Sequence, residues 1–204
     1  MSTVHSKYLS FVFVDAKVVA TPSINCFLSS SYGFFAVLQS SFHECWTNKY
    51  SSSLGETMRY IAGRCFYTFP LCENLESELL VQAGKNYHDL RESICIKLNI
   101  GLTDLLNSVH TEQNFEESVV KFREEIIKLD AAVLKTYGFN GITLDHNFYQ
   151  TRQGVRFTIS EDANKQILKN LLELNHKLGA LEVSTKTKSK KLKSRQETDL
   201  EESE

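Results

Sequence analysis

The sequence predicts an α+β chain, a small α/β module followed by an antiparallel helical module, on three observations. Short aromatic and β-branched runs fill residues 8–28, apolar residues recur at helical spacing from Phe34 to Trp46, and long amphipathic stripes separated by glycines begin near Asn74.

The run Tyr8-Leu9-Ser10-Phe11-Val12-Phe13-Val14 predicts a strand, Asp15-Ala16-Lys17 a tight connection, Val18 to Ala20 a returning strand and Ile24 to Leu28 a third. Ser29-Ser30-Ser31 then supplies an N-cap. Phe34, Phe35, Val37, Leu38, Phe42, Cys45 and Trp46 mark one helix up to about Tyr50, packed on the sheet. Ser51-Ser52-Ser53 breaks it. Extended pieces follow around Thr57 to Ile61 and Arg64 to Phe69, ending at Pro70. Phe11, Phe13, Phe35, Leu38, Phe42, Trp46, Phe66 and Phe69 are the expected core of this module.

Leu75, Leu79, Leu80, Tyr87, Leu90, Ile94 and Leu98 form the stripe of a long helix capped at Asn74 and stopped by Gly101. Thr103 to Val109 reads as a short helix. Phe115, Val119, Phe122, Ile126, Leu129, Val133 and Leu134 mark another long one ending at Gly138. Phe139 to Arg156 reads as a polar and aromatic loop. Ser160 with Asp162 opens a last helix whose apolar face is Ile167, Leu168, Leu171, Leu172 and Leu174. The resulting division is 1–73, 74–180 and a charged tail, 181–204, which is expected to be disordered because it offers no apolar area to bury.

A chain of 204 residues that is 42% hydrophobic can bury a sizeable core. No apolar run approaches the roughly 20 residues a bilayer span needs, and Met1 to His5 lacks a signal-peptide pattern, so a cytoplasmic location without membrane contact is expected. Five cysteines without CxxC spacing read as reduced, mostly buried thiols. The formal net charge of -2 is not the basic footprint usual for nucleic-acid binding.

Signatures of chemistry are absent: no GxGxxG or Walker loop, no HExxH, no GxSxG. With Pro22 and Pro70 the only prolines, the Asn/Asp-Pro-Pro-aromatic motif of amino-methylating enzymes cannot occur. No catalytic residue, metal site or cofactor is therefore expected in this chain. His43 reads as a histidine at the edge of a core helix, and Glu116-Glu117 with Arg123-Glu124-Glu125 as a solvated helix face. One stretch stands apart, because it gathers cations, aromatics and hydroxyls between a helix and short strands. Its Lys49, Ser51, Ser52, Ser53, Arg59, Tyr60 and Arg64 suit phosphate positioning and base-edge readout.

The order of short motifs adds a resemblance. Gly33-Phe34-Phe35-Ala36-Val37-Leu38-Gln39-Ser40, His43-Glu44-Cys45-Trp46, Ser51-Ser52-Ser53-Leu54, Met58-Arg59-Tyr60 and Cys65-Phe66-Tyr67-Thr68-Phe69-Pro70 follow one another in series. Gly101-Leu102-Thr103, Leu129-Asp130-Ala131-Ala132-Val133-Leu134 and Thr136-Tyr137-Gly138-Phe139 continue it. The series resembles the target-recognition region of large single-chain type II restriction-modification enzymes (the MmeI-like group) and related adenine-specific DNA methyltransferases. It spans about Lys7 to Lys177. Where that family carries Thr-Pro-Ser-Asp after Arg-Tyr, this chain has Ile61-Ala62-Gly63-Arg64.

The resemblance implies that residues 1–73 are the C-terminal part of a target-recognition domain and 74–180 a helical spacer. It implies a parent enzyme that binds S-adenosylmethionine and methylates a flipped adenine through a domain this chain lacks. Double-stranded DNA is then the expected partner, with the seven residues above facing it. The alternative is an interaction module that docks its long helices onto a separately encoded methyltransferase part and binds no DNA itself.

Overall fold

The computed structural model describes residues 1–54 and 57–201, with side chains over 1–52 and 57–181. Its elements are β1 (Ser2–Thr3), β2 (His5–Ser6), β3 (Ile24–Asn25), α1 (Tyr32–Gln39), α2 (Ser41–Tyr50), β4 (Ser52–Leu54), β5 (Thr57–Arg59), α3 (Ala62–Cys65), α4 (Glu78–Leu98), α5 (Leu102–Val109), α6 (Glu117–Tyr137), β6 (Asn147–Thr151), β7 (Gly154–Thr158) and α7 (Glu161–Glu201). The fold is α+β, with helices dominating and strands pairing only antiparallel.

Two small sheets meet at a bend at Val4, whose N–H donates to the Ser23 carbonyl and whose own carbonyl accepts the Tyr60 N–H, each at 2.8 Å. β1 pairs with β3 in one, and β5 pairs with β2 and β4 in the other. Strand alternation turns Met58 and Tyr60 into the core, where both are buried, and Arg59 outward.

The strand expected over Tyr8 to Val14 does not form. Its backbone groups are satisfied one at a time by side chains and by the N-terminus. Gln39 Oε1 accepts the Phe11 N–H, Gln39 Nε2 donates to the Leu9 carbonyl, Arg91 Nη2 donates to the Phe11 carbonyl, and the Met1 carbonyl accepts the Val12 N–H. The Asp15 turn is present, with the Val18 N–H donating to the Asp15 carbonyl, but no strand returns after it and Val19 stands in solvent.

The helix expected over residues 29–50 is two. Ser31 caps α1 by accepting the Phe34 N–H at 3.1 Å, and the extended backbone of Ser40 separates α1 from α2. Arg64 to Phe69 is not extended: α3 and a turn occupy it, with the Trp46 indole donating to Thr68 Oγ1. Phe139 to Arg156 is not all loop either, because β6 and β7 form a hairpin closed by Thr151 and Gly154, the latter at φ +90°. Ser77 rather than Asn74 precedes α4, and left-handed Asn99 ends it before Gly101 is reached. Gly138 ends α6 at φ +66° as expected.

α1 lies against α4 with two glycines at the contact. A Cβ on Gly84 would fall 2.1 Å from the Tyr32 carbonyl oxygen, and one on Gly33 1.7 Å from that of Leu75. α4 pairs in turn with α6. One continuous core results, running from Phe11, Phe35, Phe42 and Trp46 through Leu80, Tyr87 and Phe122 to Ile167 and Leu171. It crosses the boundary between residues 73 and 74. Of the expected core residues, Phe13 and Phe66 pack at its margin and the other six are within it. The tail expected to be disordered over 181–204 instead continues α7 as helix through Glu201, and residues 202–204 lie outside the described residues.

Candidate functional site

The outward face of the small sheet is polar. Register sets Arg59 opposite His5 on one side and opposite Ser52 on the other, so the three side chains form a row across β2, β5 and β4. Directly opposed residues bring their Cβ atoms to about 5 Å. All three are exposed. The Arg59 guanidinium makes no hydrogen bond or ion pair among the described residues. A hydroxyl and an imidazole stand beside it.

The other expected contact residues divide. Lys49 is exposed in the last turn of α2, and Ser51 ends that helix by donating its N–H to the Thr47 carbonyl at 2.7 Å. Arg64 is exposed on α3. Among the described residues no hydrogen bond or ion pair joins Lys49 or Arg64 to the Arg59 row. The Ser53 side chain lies outside the described residues; its backbone is paired with Met58.

Tyr60 is a correction. It was expected to face DNA, but only 2% of it is exposed, and its hydroxyl meets His43 Nε2 at 2.9 Å. The physical reason is strand parity: a residue adjacent to outward Arg59 must point inward. His43, expected at the edge of a helix, is itself wholly buried, with its ring edge-on to Phe69 at 4.5 Å and its Nδ1 without a partner. Burial lowers its pKa from 6.5 to about 3, which keeps the ring neutral.

A second polar centre lies inside the protein, and the sequence did not reveal it. Asp130 of α6 is wholly buried and accepts the Ser41 N–H at 2.8 Å, the Ser41 hydroxyl at 2.6 Å and His146 Nε2 at 2.8 Å. The carboxylate stands between hydroxyl and imidazole. The Ser41 hydroxyl thus meets the carboxylate and not the imidazole, the reverse of the order in a nucleophile–histidine–acid relay, and the carboxylate caps α2. Nearby, Glu44 has its pKa raised to about 7, first by burial, then by the Asp130 carboxylate, with Arg156 opposing.

Arg156 of β7 is buried, with its guanidinium 4.9 Å over the Tyr8 ring and its Nε and Nη2 without hydrogen-bond partners. His110 stacks on Tyr8 with ring centroids 5.0 Å apart, and its Nδ1 accepts the Phe157 N–H at 3.1 Å. Burial and the adjacent cations Arg156, Arg123 and Lys7 lower its pKa to about 3.

Arg123 and Glu125 correct the expected solvated face, since both are buried. Arg123 donates to four carbonyls at the end of α5 and in the following loop: Ser108, Val109, Thr111 and Asn114, at 2.7 to 3.2 Å. Its role is to hold that loop. Glu116, Glu117 and Glu124 are exposed as expected.

Among the described residues no group of three or more His, Cys, Asp or Glu side chains is placed to hold a metal, and no helix is long and apolar enough to cross a membrane. All five cysteines are free, Cys45, Cys65 and Cys72 being buried, Cys95 partly so and Cys26 exposed. Compared with known proteins, the chain matches no family model, no curated protein and no solved structure.

Proposed function

We propose that this chain is a DNA-recognition and scaffold piece of a restriction-modification adenine-specific DNA methyltransferase, non-catalytic by itself, that meets double-stranded DNA through the outer face of its small sheet. The observation that carries this reading is the exposed Ser52–Arg59–His5 row, whose guanidinium has no hydrogen bond or ion pair among the described residues. An exposed arginine can donate two parallel bonds to a phosphate or to a guanine edge, and a flanking hydroxyl adds a positioning contact. Lys49 and Arg64, exposed on α2 and α3, are the further cations proposed to meet DNA. S-adenosylmethionine and the methyl-transfer chemistry belong to the parent enzyme's other domain, and this chain takes no cofactor.

The test is a mobility-shift titration of the full chain with duplex DNA across a salt series. Arg59→Ala is expected to weaken binding by about tenfold or more, and the loss of one phosphate contact lowers the salt slope by about one. Tyr60→Phe, which changes only a buried hydroxyl, leaves binding unaltered. Equal binding by wild type and Arg59→Ala, or no binding at low salt, sinks the reading.

A docking module for a separately encoded methyltransferase part is the second reading. The net charge of -2 and the exposed apolar side chains Leu28 and Tyr67 favour it. Co-expression distinguishes the two, because a docking module co-purifies with its methyltransferase part even when Arg59 is changed.

A further inference from the structure

We infer that the β6–β7 hairpin is a second contact element for duplex DNA, a two-stranded ribbon whose apex, Arg152 and Gln153, enters the major groove. The inference rests on the reading of DNA as the partner and adds to it an element that the Arg59 row does not include.

The ribbon is an anchored finger. At its root the Arg123 guanidinium lies 4.9 Å from the Phe148 ring and 5.8 Å from that of Phe157. His110 Nδ1 accepts the Phe157 N–H at 3.1 Å, and Arg156 sits 4.9 Å over Tyr8. At its apex Thr151 pairs with Gly154 across the turn that carries Arg152 and Gln153. The Thr151 hydroxyl donates to the Gly154 carbonyl at 2.8 Å and accepts the Gln153 N–H at 3.1 Å, while Gly154 holds φ +90°. Both ends are thus fixed, and the apex side chains meet a partner without a loop to order first.

The dimensions suit a groove. Gln150, its cross-strand partner Val155, and Arg152 are all exposed. The outer half of the ribbon, residues 150–155, extends about 10 Å, against a major groove about 12 Å wide and about 8.5 Å deep that admits a two-stranded ribbon.

The chemistry of this half is that of base edges. Residues 146–160 hold no Asp or Glu in a chain that has 25 of them. Arg152 can donate two bonds to a guanine, Gln150 and Gln153 can each pair with an adenine edge, and Val155, 43% exposed, offers an apolar contact to a thymine methyl. The bracketing acids, Asp145 and Glu161, stand at the root end, where the first accepts the Tyr149 hydroxyl at 2.9 Å and the second pairs with Lys165 at 2.7 Å. An acidic protein surface would offer acceptors alone. The glutamine amides donate and accept at once, which matches bases.

Placement agrees. The Arg156–Tyr8 contact ties the root to the chain two residues after β2, the strand that carries His5. At no more than about 3.6 Å per residue, the four positions to Arg152 and the three to His5 keep apex and row within about one turn of a duplex.

The test uses the full chain and a mixed-sequence duplex, read by mobility shift over a salt series and by amide hydrogen exchange with and without DNA. Arg152→Ala is expected to weaken binding by about tenfold, and Lys17→Ala, an equal loss of charge in the exposed Asp15 turn, by about twofold or less. Exchange over residues 149–156 should slow in the complex. Duplex RNA of the same sequence, whose major groove is too narrow for side chains, should bind at least about tenfold more weakly. Circular dichroism unchanged from wild type separates the Arg152 effect from misfolding. Equal losses in Arg152→Ala and Lys17→Ala, exchange that slows only around Arg59, or equal affinity for the two duplexes overturns the ribbon and leaves the Arg59 face standing. Slowing confined to 149–156, with Arg59→Ala binding like wild type, does the reverse. Absence of binding at low salt removes both.

Discussion

Asp130, in the middle of α6, binds both the backbone N–H and the hydroxyl of Ser41, the first residue of α2, 89 positions earlier in the chain. A helix N-terminus has orphan donors that a neighbouring side chain must satisfy, and here the cap is supplied from another helix. His146 closes the arrangement from the other side. Asp130→Ala is expected to cost about 3 kcal/mol in urea unfolding, since it uncaps α2 and strands a buried imidazole. Asp130→Asn, which can still accept the Ser41 N–H, costs less. Equal stability of all three proteins in urea would contradict the cap.

Arg123 holds the α5–α6 connection through four carbonyls, a geometry that needs the planar fork of a guanidinium. Arg123→Lys keeps the charge but cannot reach them all. Amide hydrogen exchange over residues 108–114 should accelerate in the lysine variant well before exchange in α4 does. A uniform change across the chain would mean that the clamp is not local.

The α1–α4 contact sets a steric test. Gly84→Ala drives a methyl into the Tyr32 carbonyl and is expected to destabilise by about 2 kcal/mol or more. Gly63→Ala, in α3 with nothing within 4 Å, should be neutral or stabilising by about 0.5–1 kcal/mol from helix propensity. Thermal melts of the two variants read the difference directly.

Three groups whose pKa burial shifts, His43 wholly and Glu44 and His110 partly enclosed, give the stability a pH optimum. Glu44 is raised from 4.5 to about 7, so its folded form holds a proton that the unfolded chain releases. That contribution is complete below pH 4.5 and is lost as pH rises through 7. His43 and His110 are both lowered from 6.5 to about 3, so their contribution is complete above pH 6.5 and is lost as pH falls toward 3. Between 4.5 and 6.5 the two histidines outweigh the one carboxyl, and stability climbs with pH. Above 6.5 Glu44 alone acts and stability declines. Urea midpoints across pH 5 to 8 should peak near 6.5, and Glu44→Gln should remove the decline on the alkaline side.

Much of the fold was legible where one signal acts locally. α6 and α7 follow from a 3.6-residue stripe with Gly138 and Ser160 at their ends, and both boundaries fall where those residues put them. The α1–α2 break at Ser40 was not legible, because the apolar spacing continues through it. The break is imposed from outside, by Asp130 drawing Ser41 into a new helix start. The Phe11 region reads as strand on composition, and its backbone is instead claimed by Gln39 and Arg91, partners that no local pattern announces. The β6–β7 hairpin was passed over because Phe148 to Arg156 mixes polar and apolar residues without clean alternation.

At the candidate site the exposed cation at position 59 was legible from residue type, whereas its neighbour's orientation was not. Sequence places Arg59 and Tyr60 side by side as two polar groups. Only the pairing register decides which of them meets solvent. The same limit hid Arg123 and Glu125, whose charges resemble those of the exposed Glu117 and Glu124 until burial separates them.

The single core that ties α1 to α4 and α4 to α6 bears on how the molecule comes apart. Neither the first 73 residues nor the helical remainder keeps a complete interior once the other is removed, for Phe35 and Leu38 would lose the α4 side of their shared core and Leu80 would lose α1. Heat should therefore dismantle the described fold in one all-or-none step, and a cut in the polypeptide after Glu73 should yield two pieces that regain shape only by recombining.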